Sequence, residues 1–271
     1  MLEVSRSGYY RDCKKIPSRR ARDKDLLLQE IWQIYGKSRQ TYGSPRIHAE
    51  LKALGFKCSR PRVARLMKQA GITAKMQRLF KRTTRCNAKA PAAPNLLQQD
   101  FSAEKPNQKW LADISDIKTM EGWLYLAVIL DVFSRKVVGL SMGESLHTQL
   151  VMRALMQALT RRQPEAGLHH HSDRGCQYTS TAFQQLLKEQ EIICSMSGSG
   201  NCFDNAAMES FFHTLKTECV YFERYETRQQ AKANIFEYVE VFYNNQRRHS
   251  TLGYVSPNEF EQRYYQQQLC S

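Results

Sequence analysis

Residues 110–142, WLADISDIKTMEGWLYLAVILDVFSRKVVGLSM, decide how this chain folds. LADISDIKT alternates apolar and polar side chains, which is the period of a half-buried strand. Glu121-Gly122 marks a turn, and WLYLAVILDVF then runs almost continuously apolar, as a strand covered on both faces does. KVVGLSM follows after Ser134-Arg135. The stretch therefore predicts three consecutive antiparallel strands.

Downstream, the pattern changes to alternation of helix and strand. A helix is expected over 147–162, a short strand at GLHHHS, a second helix over 180–190 and a fifth strand at EIICSM. Two further helices are expected over about 204–219 and 228–245. Strands covered by helices in this order give an α/β class with a mixed five-stranded sheet and flanking helices.

Upstream the signals are helical. KDLLLQEIWQIYG (24–36) sets Leu27, Ile31 and Ile34 at helical spacing and closes on a glycine. Ser44-Pro45 opens RIHAELKALG, with Ile47, Leu51 and Leu54 on one face and Gly55 as its stop. Ser59 caps PRVARLMKQAG, which buries Val63, Leu66 and Met67 and ends at Gly71. The last two helices form a helix-turn-helix over about 44–71, its second helix carrying Arg60, Arg62, Arg65 and Lys68. An ordinary helical hairpin with a solvated basic face is the alternative reading.

Residues 1–73 are thus expected to form an all-α DNA-binding domain and 108–265 the α/β domain with its C-terminal helices. Between them, 74–107 contains KRTTRCNAKAPAAPN, too poor in apolar residues to fold alone. It reads as a basic linker whose Arg78, Lys81, Arg82, Arg85 and Lys89 contact phosphates.

Charge divides the chain in the same place. Up to Lys109 there are 25 Lys and Arg against 8 Asp and Glu, and from Trp110 onward 15 against 18. An excess of +17 in the first part exceeds what solubility needs and points to a polyanion, most simply nucleic acid. No apolar run is long enough to span a bilayer and no secretory stretch opens the chain, so a cytoplasmic location without membrane association is expected. Eight cysteines contain no C-x-x-C pair and read as reduced thiols.

Three carboxylates have settings suited to holding metal. Asp113 lies within a strand, where aspartate is disfavoured by propensity; Asp173 stands where the fourth strand ends; Glu209 lies on the following helix. By spacing, Asp116 and Asp131 compete with Asp113, although Asp116 points to the other strand face. Asp173 also reads as a cap or as a partner of Arg174, and Glu209 as a surface residue. His169 and His171 share one strand face and His170 takes the other, which argues against a histidine metal site. Lys216 lies seven residues after Glu209, on the same helix face.

The run from Trp110-x-x-Asp113 through GWLYLAVILDVFSRKVVG, HSDRGCQYTS, GNCFDNAAMESFFHTLKTE and YNNQRRHSTLGYVSPNEFE resembles the DDE transposases of bacterial insertion-sequence-three elements. The resemblance extends into YGSPRIHAELKALG and RVARLMKQAGI and so covers nearly the whole chain. It implies a ribonuclease-H-like, integrase-type catalytic core and metal-dependent phosphodiester hydrolysis and strand transfer at element ends. It assigns Asp113, Asp173 and Glu209 as catalytic metal ligands for two Mg²⁺ ions, Mn²⁺ substituting. Lys216 matches a DNA-contact position, Asn205 and His213 match more weakly, and Asp116 and Asp131 become structural. Ala112-Asp113-Ile114-Ser115 departs from the family's Thr-Asp-Ile-Thr pattern, and Ser197–Gly200 lacks a frequent basic residue. The implied partners are DNA, further copies of the chain on paired ends, and a first-reading-frame protein joined by frameshifting; a nucleoid association follows. A non-catalytic DNA-binding regulator and a structure-selective nuclease of the same fold are the alternatives.

Overall fold

The hairpin centred on Met120-Glu121 frames the larger of two units into which the chain divides, residues 1–75 and 76–271. The structure is a computed structural model, and it describes residues 5–7, 10, 18–75, 93–98, 100–198 and 205–270.

In the first unit three helices, α1 (Arg19–Lys37), α2 (Ser44–Ala53) and α3 (Arg60–Gln69), close over Leu27, Ile31, Ile34, Ile47, Leu51, Val63, Leu66 and Met67. The apolar spacing located these helices, but their ends differ from expectation. Ser18 caps α1 by accepting from the Ala21 N–H at 3.2 Å, so the helix starts earlier and runs through Gly36 to Lys37. In α2 the cap is Gly43, with Ser44-Pro45 forming the first turn, and Leu54 is 58% exposed beyond the helix end. Gly55 and Gly71 have positive φ, as helix stops do.

In the second unit β1 (Lys109–Thr119), β2 (Gly122–Asp131) and β3 (Val137–Gly143) are antiparallel, and β4 (His169–Ser172) and β5 (Ile193–Met196) lie parallel on the other side. The order is β3-β2-β1-β4-β5. β2 carries the apolar run and is buried from Leu126 to Asp131, while β1 is continuously buried only at Trp110–Ala112 and alternates beyond Asp116. α4 (Thr148–Arg162) and α5 (Thr181–Glu189) bury Leu150, Val151, Ala154, Phe183 and Leu187 against Trp110, Ala112, Ala127 and Ile129. Gly139 of β3 is required at this contact, since a Cβ there would strike the Ala154 carbonyl.

α6 (Ala206–Glu218) also packs on β1. α7 (Arg228–Glu237) continues into a π-helical turn over Tyr238–Tyr243, and α8 (Pro257–Leu269) ends the fold. α8 was not expected from periodicity, although Ser256-Pro257 supplies its cap and first turn, with Ser256 accepting from the Glu259 N–H at 3.2 Å. The chain before β1 is packed against the core: Leu97 is buried, the Leu96 N–H donates to Ser195 Oγ at 3.0 Å, and the Met196 N–H donates to the Pro94 carbonyl at 3.3 Å. Among the described residues no helix is long and apolar enough to cross a membrane.

Candidate active site

Strand register brings the first two carboxylates together. β1 and β4 pair in parallel up to Leu111 opposite His171; Asp113 lies two residues further along β1 and Asp173 just past the end of β4, where its charge acts on Asp113. Asp113 is half-buried, and its Oδ1 accepts the Ile114 N–H at 2.7 Å. Asp173 follows the last residue of β4, and its Oδ1 accepts the Gly175 N–H at 2.9 Å, which fixes the turn leaving the strand. Arg174 turns instead to the Ser197 carbonyl, donating through Nε at 2.8 Å.

α6 supplies the third. It packs on β1 through an apolar face that includes Met208, Phe211, Phe212 and Leu215, leaving Glu209 and His213 exposed and Lys216 half-buried. Asn205, buried, stands at the N-cap of this helix.

The electrostatics tie these groups into one site. Burial first, then the charges of Asp173 and Glu209, push Asp113 up to about 7, against the Ile114 hydrogen bond and the Lys216 charge. Burial also raises Asp173, opposed by the Gly175 hydrogen bond. Acids crowded in this way resist ionising together. A divalent cation favours the ionised form of all three, and three hard oxygen donors from two strands and a helix fit such an ion. Among the described residues, no three His, Cys, Asp or Glu side chains are gathered closely enough to chelate an ion as they stand.

The competing acids lie elsewhere. Asp116 is exposed, opposite Tyr125. Asp131 is opposite Trp110, fully buried, and accepts the Asn107 N–H at 2.8 Å and the Phe133 N–H at 2.9 Å, with Arg162 at 3.6 Å. The histidine tract splits as its alternation requires. His171 shares hydrogen bonds with Ser195 and Ser197 Oγ at 2.8 and 3.1 Å, tying β4 to β5, and His170 packs between Tyr178 and Phe183.

The basic residues do not form one group. Arg60, Arg65 and Lys68 are exposed on α3 in the first unit, with Arg62 half-buried. Lys81, Arg82 and Arg85, like Arg78 and Lys89, lie outside the described residues. Periodicity missed Tyr178, a buried phenol on the turn after Asp173 that feels the charges of both aspartates. Its place in an apolar core is set by tertiary packing and leaves no sequence signal.

Comparison with known proteins agrees with this architecture. Models described as an integrase core domain match residues 103–202 and 209–265, and one described as an HTH-like domain matches 22–80. An uncharacterized 31 kDa protein of insertion element IS600 from Shigella sonnei is 45% identical over 97% of each chain. The transposase InsF for insertion sequence IS3A from Escherichia coli is 41% identical, covering 96% of this chain and 91% of its own. A chain of the simian T-cell lymphotropic virus intasome, solved in complex with PP2A regulatory subunit B56 gamma, superposes with a TM-score of 0.51 at 14% identity. That alignment covers 84% of this chain and 73% of the viral one and shows the shared fold. With near full-length identity to insertion-sequence transposases, an integrase core and a helix-turn-helix-like unit, this chain belongs to the IS3 family of DNA transposases.

Proposed function

We propose that Asp113, Asp173 and Glu209 are the catalytic residues of this transposase and that they hold two Mg²⁺ ions, for which Mn²⁺ substitutes. The observation that supports the reading is the parallel β1–β4 pairing, which runs to Leu111 opposite His171, two residues before Asp113 and Asp173, together with the charges of Asp173 and Glu209 acting on Asp113. Two ions between such carboxylates stabilise both the attacking and the leaving oxygen of an in-line phosphodiester displacement.

The protein's own part is to set the donors and hold the DNA. Asp113 is fixed by a central strand, Asp173 by its turn, and Glu209 by a helix whose apolar face is buried. Lys216 holds a phosphate of the scissile strand beside them. Water is the first nucleophile, and a terminal 3′-hydroxyl released by that cut is the second, so cleavage and joining use one site. Arg60, Arg62, Arg65 and Lys68 of α3 read or grip the element end. Lys81, Arg82 and Arg85 in the basic linker contact the backbone by counterion-releasing pairs. The chain works as a multimer on paired ends, bound to DNA in the nucleoid, together with the product of an upstream reading frame.

The test is strand cleavage and joining on a duplex carrying the element end, with Mg²⁺ or Mn²⁺. Specific nicking at the end, lost in Asp173→Asn, is expected. Unchanged activity in that variant removes the assignment.

A further inference from the structure

The three carboxylates are not held alike. Asp113 and Asp173 each accept a backbone N–H, at 2.7 and 2.9 Å, one within a strand and the other in the turn that leaves one. Glu209 makes no hydrogen bond or ion pair among the described residues, so its place is set by α6 alone. The start of that helix has no side-chain cap, and Asn205 Oδ1 beside it is buried without a partner.

The other end of α6 is held by charge. Glu218, its last residue, and Arg247 form an ion pair whose side chains are 9% and 5% exposed. Arg247 donates to both carboxylate oxygens, from Nε to Oε2 at 2.8 Å and from Nη2 to Oε1 at 2.7 Å. The Tyr238 hydroxyl donates to Oε2 at 2.8 Å. The Arg247 guanidinium also lies 5.8 Å from the centroid of the Tyr243 ring, which meets Phe211 of α6 edge-on at 5.0 Å. The segment after α7 thus grips α6 through three side chains.

Stability does not account for an acid here. The C-terminus of a helix carries partial negative charge and favours cations. Taking a carboxylate and a guanidinium out of water costs about as much as their attraction returns, and apolar side chains of similar volume are often as stable or more so. What the pair supplies is direction, because the planar fork of the guanidinium meets both oxygens in one arrangement. The apolar face of α6, with Met208, Phe211, Phe212 and Leu215, is less exacting, since apolar contacts tolerate repacking. Nine residues of helix, about 14 Å, join Glu218 to Glu209, so a slide or rotation at one end is passed to the other.

We infer that Glu218, Arg247 and Tyr238 form a positioning clamp for the third metal ligand, setting the slide and rotation of α6 that bring Glu209 to Asp113 and Asp173. The inference rests on the reading of these three carboxylates as cation ligands. Groups that orient ligands from outside, when removed, weaken metal binding by about 10- to 100-fold.

The experiment titrates the full chain calorimetrically with Mn²⁺ and unfolds it thermally without divalent ions. It compares wild type, Glu209→Gln, and a double variant combining Glu218→Leu with Arg247→Met, which exchanges the pair for apolar side chains. The double variant should unfold at the wild-type temperature or above it, yet bind Mn²⁺ about tenfold more weakly. Normal affinity in the double variant, with binding weakened in Glu209→Gln, overturns the clamp and leaves the triad standing. Normal affinity in Glu209→Gln overturns the assignment of that ligand, and this inference with it. Should the double variant unfold early, Arg247→Lys decides, since it keeps the charge and loses the fork. Weakened Mn²⁺ binding at the wild-type unfolding temperature supports the clamp; normal affinity, or weakening that comes with earlier unfolding, overturns it.

Discussion

A fully buried acid opposite the start of β1, Asp131, and a half-buried one within β1, Asp113, have surroundings of opposite kinds. Asp131, opposite Trp110, is supplied with partners from the chain itself: two backbone N–H donors and Arg162. Arg162 in turn makes two hydrogen bonds of 2.8 Å to Glu261 of α8 and donates through Nε to Asn107 Oδ1 at 2.9 Å. Lys136 and Ser134 complete the cluster on Glu261. Burial raises Glu261, but the Arg162 hydrogen bonds and charge outweigh it and leave that acid below its ordinary value. Three residues along β1, Asp113 meets other acids, and the Lys216 charge offsets them only in part. Burial still raises Asp131, to about 6, but its neighbours are donors and a cation, whereas those of Asp113 are mostly acids.

That contrast is broken most sharply by removing one acid at a time. Asp113→Asn should cut strand-transfer activity by on the order of 10³-fold or more while leaving DNA retention intact, measured by cleavage and gel-shift assays on the same duplex. Arg162→Ala should act the other way. It leaves Asp131 buried without its cation and Glu261 with Lys136 alone, and a loss of about 3–5 kcal/mol in chemical denaturation is expected.

The two acids share the sign of their pH dependence, Asp131 being raised to about 6 and Asp113 to about 7, and substitution separates them. Asp113 has a folded pKa of about 7 against an ordinary 3.8, so the folded chain holds a proton that the unfolded chain has released between those values. Stability without divalent ions should therefore fall as pH rises from about 4 to about 7 and then level. Asp113→Asn should remove that component from unfolding curves, and saturating Mg²⁺ should flatten it, because cation binding favours the ionised form. Mn²⁺ affinity should rise over the same window and level above it.

The smallest effects belong to the DNA contacts. Lys216→Ala should weaken end binding modestly and lower the slope of log affinity against log salt by about one. Arg65→Ala on α3 should cost about 1–3 kcal/mol on the cognate end if it reaches a base, and less, evenly across sequences, if it reaches a phosphate.

Local patterning carried much of the architecture. The β1–β3 meander was legible because each strand has its own period and its own turn, and the helices because their apolar stripes repeat at helical spacing. α8 escaped because its buried residues are few, Pro257 and Glu261 among them, and a charged residue held by Arg162 does not read as core. The π-helical turn at Tyr238–Tyr243 adjusts α7 to its tertiary partners: Tyr238 and Arg247 both bond Glu218, at 2.8 and 2.7 Å. For the site, chemistry identified the residue types, but spacing alone left Asp116 and Asp131 open. What separates them from Asp113 is the parallel pairing of β1 with β4, a contact between residues about sixty positions apart that no local period encodes. Motif resemblance supplied that choice.

The most direct test of the central claim is anomalous diffraction from crystals of the protein grown or soaked with Mn²⁺. The account predicts manganese peaks bounded by Asp113, Asp173 and Glu209, and none beside Asp131. Manganese absent from that triad under conditions that support cleavage would contradict it.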